Sequence, residues 1–141
     1  MKLNDIVTTL SNELNQSIDC TSMESYSFLF DDKYELVFTS NPNNDNTIIV
    51  YSKICSLSSL NYADLRRFIA HDNLGNITDG AAFGIDENLD SLILWTHLDS
   101  DFDSIEEFVN AVEIFLEKVS FYVDLQERRM NTLNNSELQR L

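Results

Sequence analysis

The segment between Arg67 and Lys118 contains twelve Asp or Glu residues and no Lys or Arg. The whole chain of 141 residues has a formal net charge of −15, although 43% of its residues are hydrophobic. An equally acidic chain with few apolar residues would stay disordered. Because apolar residues are plentiful here, the sequence predicts a packed domain that carries its charge on the outside. Such a surface repels nucleic acid and anionic lipid, so neither nucleic acid nor a membrane is an expected partner.

Three segments show the apolar periodicity that is typical of helices. They cover residues 2–15, 61–73 and 104–129. Asn61 is the predicted N-cap of the second helix, and residues 101–107 have the composition of a capping-box start for the third. The apolar stripe of the first helix consists of Leu3, Ile6, Val7, Leu10 and Leu14.

Alternating apolar residues predict five strands between these helices. Runs at residues 26–30, 34–39 and 47–51 are separated by short segments rich in turn-forming residues, which favours an antiparallel meander. Runs at residues 80–86 and 92–95 predict a second hairpin. The expected fold is α+β, in the order α-β-β-β-α-β-β-α, with an antiparallel twisted sheet packed against the helices.

The chain is expected to form one cytoplasmic domain. No apolar run is long enough to span a bilayer, and the N-terminal residues lack the apolar core of a signal peptide. We assign residues 1–130 to the domain and residues 131–141 to a flexible C-terminal tail, because the last residues are polar.

Both faces of the predicted sheet carry apolar side chains. One phase of the alternation gives the expected core, formed by Leu36, Phe38, Ile48, Val50, Leu92 and Leu94. The opposite phase gives a second set, formed by Val37, Ile49, Tyr51, Ile93 and Trp95. Either the terminal helices cover both faces, or the second set meets another chain, most commonly in a symmetric dimer.

Sequence signals for catalysis and for metal binding are weak. Asp99, Asp101 and Asp103 match the opening of an EF-hand loop, but Ser104 replaces the required Gly and Asn110 the required Glu. These acids are better explained as helix-capping residues. The chain has only two His and three Gly and no phosphate-binding loop. We therefore expect no enzyme activity, no cofactor and no metal.

The two cysteines, Cys20 and Cys55, are 35 positions apart and form no CxxC pattern. In a cytoplasmic protein such a pair is expected to remain as thiols rather than as a disulfide or a metal site.

Taken together, the chain resembles the class I chaperones of type III secretion systems, the CesT/SycE/Tir-chaperone-like family. The resemblance covers residues 2–128 and depends on the small size, the acidity, the order of elements and the amphipathic first helix. The segment 80–94 is similar to a strand of small residues, an acidic turn and an apolar strand in that family, and a long amphipathic final helix follows.

This resemblance implies a bacterial cytoplasmic homodimer that binds the N-terminal chaperone-binding segment of a secreted effector in extended form, by strand addition and groove contacts. The ATPase of the secretion apparatus is a further implied partner. The implied effector-binding residues are Leu3, Ile6, Val7, Leu10, Phe28, Phe30, Leu36, Phe38 and Val50. The implied dimer contacts are Leu65, Phe68, Ile69, Ile93 and Trp95.

An alternative hypothesis is an acidic module, similar to an immunity protein or an antitoxin, that neutralises a basic partner. Binding through a charged face should weaken steeply with salt, whereas binding through apolar grooves should be much less sensitive to salt.

Overall fold

The helices and strands follow the predicted order with one addition. The computed structural model describes residues 3–14, 19–22, 25–72 and 80–139. The helices are α1 (Leu3–Leu14), α2 (Tyr62–Asp72) and α3 (Ile105–Gln139), and a short 3-10 helix covers Leu57–Ser59. The strands are β1 (Asp19–Ser22), β2 (Ser25–Phe30), β3 (Tyr34–Ser40), β4 (Thr47–Ser56), β5 (Ala82–Asp86) and β6 (Ser91–Asp99).

The six strands form one antiparallel sheet in the order β1-β2-β3-β4-β6-β5. The predicted meander corresponds to β2, β3 and β4, and the predicted hairpin corresponds to β5 and β6. The α+β fold class and the antiparallel sheet are therefore confirmed. The additional strand, β1, lies at one edge of the sheet, and β5 lies at the other.

The turn between β2 and β3 has a backbone that suits a tight hairpin. Asp31 and Asp32 both have a φ of +54°, and the backbone N–H of Lys33 donates a hydrogen bond to the carbonyl of Phe30 at 3.0 Å. Positive φ at both central positions matches the right-handed twist of the flanking strands. Asp tolerates this left-handed conformation better than most residues do. The turn therefore fixes the register in which Phe30 lies opposite Tyr34.

Side-chain caps begin the second and third helices where the sequence predicts them. The amide oxygen of Asn61 accepts a hydrogen bond from the backbone N–H of Asp64 at 2.8 Å. The Ser104 hydroxyl accepts one from the N–H of Glu107 at 3.3 Å, and the Glu107 carboxylate accepts one from the N–H of Asp103 at 3.3 Å. These bonds satisfy backbone donors that have no partner inside a helix.

The final helix is longer than predicted. The sequence places its end at residue 129, whereas α3 continues to Gln139. The prediction followed the apolar stripe, and helical backbone can continue beyond a stripe where it is polar on all sides. The division into a domain over residues 1–130 and a flexible tail over 131–141 stays a prediction.

One hydrophobic core lies between the sheet and all three helices. α1 contributes Ile6, Val7 and Leu10, α2 contributes Phe68, and α3 contributes a buried stripe that includes Phe115. The strands contribute the phase of side chains that the sequence assigns to the core: Leu36, Phe38, Ile48, Val50, Leu92 and Leu94. Because the helices share this single cluster, they cover the same face of the sheet.

A polar cluster connects the β2–β3 turn to the middle of α3. The Lys33 ammonium lies 2.8 Å from Asp124 and 2.8 Å from Glu127, and the Tyr34 hydroxyl donates to Asp124 at 2.8 Å. The hydrogen bond from Lys33 is the main cause that lowers the pKa of Asp124, and the bond from Tyr34 adds to it. The carboxylate therefore remains charged and holds the turn against the helix.

Removal of the α2 cap should lower the stability of the domain moderately. We expect Asn61→Ala to reduce the free energy of unfolding by about 1 kcal/mol, because the N–H of Asp64 loses its acceptor. Urea unfolding followed by circular dichroism would measure this change. Asn43→Ala, at an exposed position in the loop between β3 and β4, is the matched control. Equal losses in both variants would contradict a capping role for Asn61.

Candidate partner-binding surface

The predicted effector-binding residues lie in the hydrophobic core of the single chain. Eight of the nine are buried: Ile6, Val7, Leu10, Phe28, Phe30, Leu36, Phe38 and Val50. The ninth, Leu3, is partly buried and packs against the same cluster. The rings of Phe28 and Phe38 pack edge to face, with their centroids 5.5 Å apart.

Four of these nine residues belong to α1 and five to β2, β3 and β4, and they meet in the core between that helix and the sheet, to which α3 also contributes. Alternation along a strand identifies which side chains point the same way, and it contains no information about which helix covers them. An effector would reach these side chains only if α1 moved away from the sheet. Their direct contact with an effector stays a prediction.

The predicted dimer residues are divided between the core and the surface. Phe68 is buried against Phe83 with ring centroids 5.3 Å apart, and Leu65 packs partly against the core. Ile69 is 51% exposed on α2, whereas Ile93 and Trp95 are partly exposed on β6. The structure thus leaves three of the five predicted contacts accessible to a second chain. Their role in a dimer stays a prediction.

The face of the sheet opposite the helices carries a continuous apolar row. Val37 of β3 pairs with Tyr51 of β4, and Tyr51 pairs with Trp95 of β6. Ile49 and Ile93 flank this row on β4 and β6. None of these five side chains belongs to the core cluster. We call them the outer-face row. A cavity beside this row is lined by Val37, Tyr51 and Ile93, and Val123 of α3 reaches its rim.

Trp95 occupies the side of this row near the sheet edge. A Cβ atom added to Gly84 of β5 would lie 3.5 Å from the indole ring, so the Trp95 side chain packs over a glycine backbone. The ring of His97, two residues further along β6, also lies near Trp95, with 5.2 Å between the ring centroids. Large aromatic side chains in such positions are enriched at protein interfaces.

The Tyr51 hydroxyl in the outer-face row is protonated at neutral pH, as an ordinary Tyr hydroxyl is, and its surroundings favour this form further. Burial is the main cause that raises the pKa of the Tyr51 hydroxyl, and the charges of Asp86 and Glu35 add to the effect. A protonated hydroxyl donates a hydrogen bond, so Tyr51 combines apolar area with one donor. The row is therefore suited to bind a polypeptide segment that offers apolar side chains and carbonyl groups.

Three residues of this surface were absent from the site predicted by sequence. Val37, Ile49 and Tyr51 belong to the set out of phase with the core that the sequence offers as a contact with another chain, but they are not among the predicted effector-binding or dimer residues. The signal that identifies them is their position on central strands together with apolar character on both strand faces. A central strand that is apolar on both faces requires cover on both, and the described helices cover only one.

The groups considered for catalysis lie apart from one another. The His71 ring nitrogen lies 3.3 Å from the Tyr122 hydroxyl at the core, whereas His97 is exposed on the opposite face. Cys55 is a free, partly buried thiol whose pKa is raised chiefly by burial. A raised pKa disfavours the reactive thiolate.

In the part of the chain that the structure describes, none of the helices has the length and the apolar character of a membrane span.

Several solved structures share this fold. The chain is similar to one in the crystal structure of the ExsC–ExsE complex, with a TM-score of 0.71, 16% sequence identity, and coverage of 89% of this chain and 97% of that one. For the HopA1–SchA chaperone–effector complex the TM-score is 0.65 and the identity 12%, with coverage of 86% and 92%.

A third similar structure is that of the Yersinia pestis type III secretion chaperone SycH in complex with a stable fragment of YscM2. The TM-score is 0.60 and the identity 12%, with coverage of 84% of this chain and 97% of that one. At these identities the similarity shows the fold alone.

The family is established by the sequence. No curated protein matches the chain. A family model does match, over residues 5–122, and its description is the Tir chaperone protein (CesT) family. This match favours the chaperone hypothesis over the alternative of an immunity or antitoxin-like module. Since the matched residues cover most of the chain, the protein belongs to the Tir chaperone protein (CesT) family, as the resemblance in its sequence predicted.

Proposed function

We propose that this protein is a cytoplasmic, homodimeric chaperone without catalytic activity that binds the N-terminal chaperone-binding segment of a type III secreted effector. Bound in this way, the effector would remain soluble and competent for secretion. Membership of the family supports this function. The similar structures support it further, because ExsC, SchA and SycH are each seen in complex with another protein. The ATPase of the secretion apparatus is proposed as a further partner.

The observation that carries the proposal is the outer-face row. Its side chains are apolar, they lie on the central strands β3, β4 and β6, and the helices pack on the other face. A contiguous apolar surface of this kind on a chain of net charge −15 is best explained by a protein partner.

For the dimer contact we propose the side of the sheet next to β5. Ile93 and Trp95 lie on the outer face there, and Ile69 is exposed on α2, which packs on the other face of the sheet through Phe68 and Phe83. A second copy that approached the β5 edge would contact both groups. In a twofold symmetric dimer each contact is made twice, which doubles the effect of one apolar side chain.

For the effector we propose the part of the same outer face that lies toward β1, away from the β5 edge. Ile49 and Tyr51, which are partly exposed, would receive apolar side chains of the segment beside the buried Val37, and the edge strand β1 would pair with its backbone. An exposed edge strand presents unpaired N–H and C=O groups, which is the basis of binding by strand addition. The strands concerned are those of the predicted groove, but the contact is on the opposite face.

The proposal predicts that Tyr51→Asp prevents effector binding while the fold and the dimer persist. A charge on the apolar row would be desolvated by the bound segment without a partner. The test is affinity purification of the chain from its native bacterium, with mass spectrometry to identify a secreted protein whose N-terminal segment is protected from proteolysis. Asn43→Asp, which adds the same charge at an exposed position in the loop between β3 and β4, is the control.

Retention of the secreted protein by the Tyr51→Asp variant would contradict the proposed effector surface. Salt provides a separate check of the mode of binding. The complex should survive a wash in molar salt, since apolar contacts are not screened. Loss of the partner at high salt would favour recognition through charge, as in the alternative of a module that neutralises a basic protein.

A further inference from the structure

Basic residues are scarce in this chain, but four of them are concentrated on two adjacent helices. The chain has 9 Lys or Arg against 24 Asp or Glu, and Arg66 and Arg67 lie on α2 while Arg128 and Arg129 lie on α3. The two helices pack together, with the ring centroids of Phe68 and Tyr122 6.1 Å apart. A groove between them is lined by three of the four arginines, and Arg66 lies outside it.

One acidic side chain, Asp64, also lines this groove. Asp64 is buried and forms an ion pair with Arg129, and the Arg67 guanidinium lies 3.9 Å from its carboxylate. Arg129 is therefore engaged in holding α3 to α2. The Arg67 side chain is 66% exposed, and Arg128 is also exposed. The charges that line the groove sum to a positive value in a protein whose net charge is −15.

The groove also contains the polar residues Asn61 and Thr132, and its apolar residues continue into an exposed stripe along α3. Ala63, Leu125 and Leu133 line the groove together with the arginines. Phe121 is 53% exposed and Ile114 is 42% exposed, and both lie on the same side of α3 as Leu125, at spacings of four and eleven residues. Residues at these spacings share one helix face. Exposed apolar side chains thus lie along one side of α3, with Lys118 between Ile114 and Phe121, and this side ends beside Arg67 and Arg128.

We propose that this surface, the arginine groove, docks a second partner: an amphipathic, acidic segment of another protein. Its apolar side chains would pack on Phe121, Leu125 and Leu133, and its carboxylates would pair with Arg67 and Arg128. The inference is carried by charge complementarity, because a basic groove with an apolar floor fits a segment that is both anionic and apolar. The arginine groove is distinct from the outer-face row, so it would allow binding of a second protein independently of the effector.

The test uses a defined probe with the full-length chain. The probe is a fluorescein-labelled helical peptide of Glu and Ala with a pair of Leu residues at i, i+4 spacing, and its binding is followed by fluorescence anisotropy. We expect binding that weakens as salt is added. We expect Arg67→Glu and Arg128→Glu each to lower the affinity by about tenfold or more. Arg66→Glu, on the same helix but outside the groove, should leave the affinity unchanged.

Specific outcomes would overturn the proposal. These are no binding by the wild-type chain, equal binding of a twin peptide with Lys in place of Glu, or equal losses for Arg66→Glu and Arg67→Glu. Equally tight binding of a single-stranded oligonucleotide would show a site for polyanions instead. Conversion of a dimer to monomers by Arg128→Glu, measured by light scattering, would show that a second copy occupies the groove.

Circular dichroism spectra of the variants give the control for folding. Arg67→Glu brings a negative charge close to Asp64, so Arg67→Ala is included as a variant without this repulsion. Arg128→Glu provides an independent measurement on the other helix. Unchanged affinity in both Arg67→Ala and Arg128→Glu would overturn the proposal even if Arg67→Glu failed to fold.

Discussion

Phe28→Asp should unfold the domain. Phe28 is 1% exposed and packs edge to face on Phe38 at the centre of the core. Truncation of a buried Phe costs about 3–5 kcal/mol, and a carboxylate at the same position adds the cost of burying a charge without a partner. The total approaches the whole stability of a typical domain, about 5–15 kcal/mol. Thermal unfolding by circular dichroism should show no cooperative transition.

The adjacent residue provides a matched control. Leu29 is 48% exposed, because it points to the opposite face of β2. Leu29→Asp should therefore leave the unfolding transition nearly unchanged. A folded Phe28→Asp protein that had lost only effector binding would contradict the core position of Phe28. In that case the groove implied by the resemblance would be correct.

Trp95→Glu should convert the proposed dimer into monomers. Trp95 is only partly buried in the single chain, so the fold should tolerate the substitution, whereas a glutamate inside an apolar interface is desolvated without a partner. Loss of a central aromatic contact costs about 2 kcal/mol or more, and a symmetric dimer loses it in both copies. Association should weaken roughly a thousandfold.

Multi-angle light scattering over a range of protein concentrations would measure this change. Leu29→Glu is the control, since Leu29 is exposed on β2, which β3 and β4 separate from β6. A Trp95→Glu protein that remains dimeric would show that the interface lies elsewhere. A wild-type protein that is monomeric at micromolar concentration would count against the homodimer itself.

Several features of the fold could be predicted because their signals are local. Asn61 and Ser104 cap helices through bonds to backbone groups three residues away, and Asp31 and Asp32 form a turn between adjacent strands. Each of these contacts depends on residues that are neighbours in sequence. The order of elements follows from the same local patterns, which is why it was correct apart from β1.

β1 and the end of α3 were missed because their sequences carry no apolar period. The sequence at residues 19–22 is Asp-Cys-Thr-Ser, which has no alternating apolar pattern. The segment is a strand because its backbone pairs with β2. The prediction ends α3 at residue 129, and the ten helical residues after it carry no apolar stripe that would indicate a helix.

The binding surface was the least predictable part. Leu36 and Val37 are consecutive, both are apolar and both are buried, yet only Leu36 belongs to the core beneath the helices. The same ambiguity applies to Val50 and Tyr51 on β4. The alternation assigned the core set correctly, but it did not show whether a helix or another chain covers the opposite set.

The sequence by itself determined the order of the elements, the antiparallel sheet, the family and the presence of apolar residues in excess of one core, because spacing and turn chemistry are local properties. Only the tertiary structure decided that α1, α2 and α3 all pack on the same face of the sheet. It also brought Arg67 and Arg128 to one groove. Both outcomes depend on contacts between residues far apart in the chain, and such contacts leave no periodic signal in the sequence.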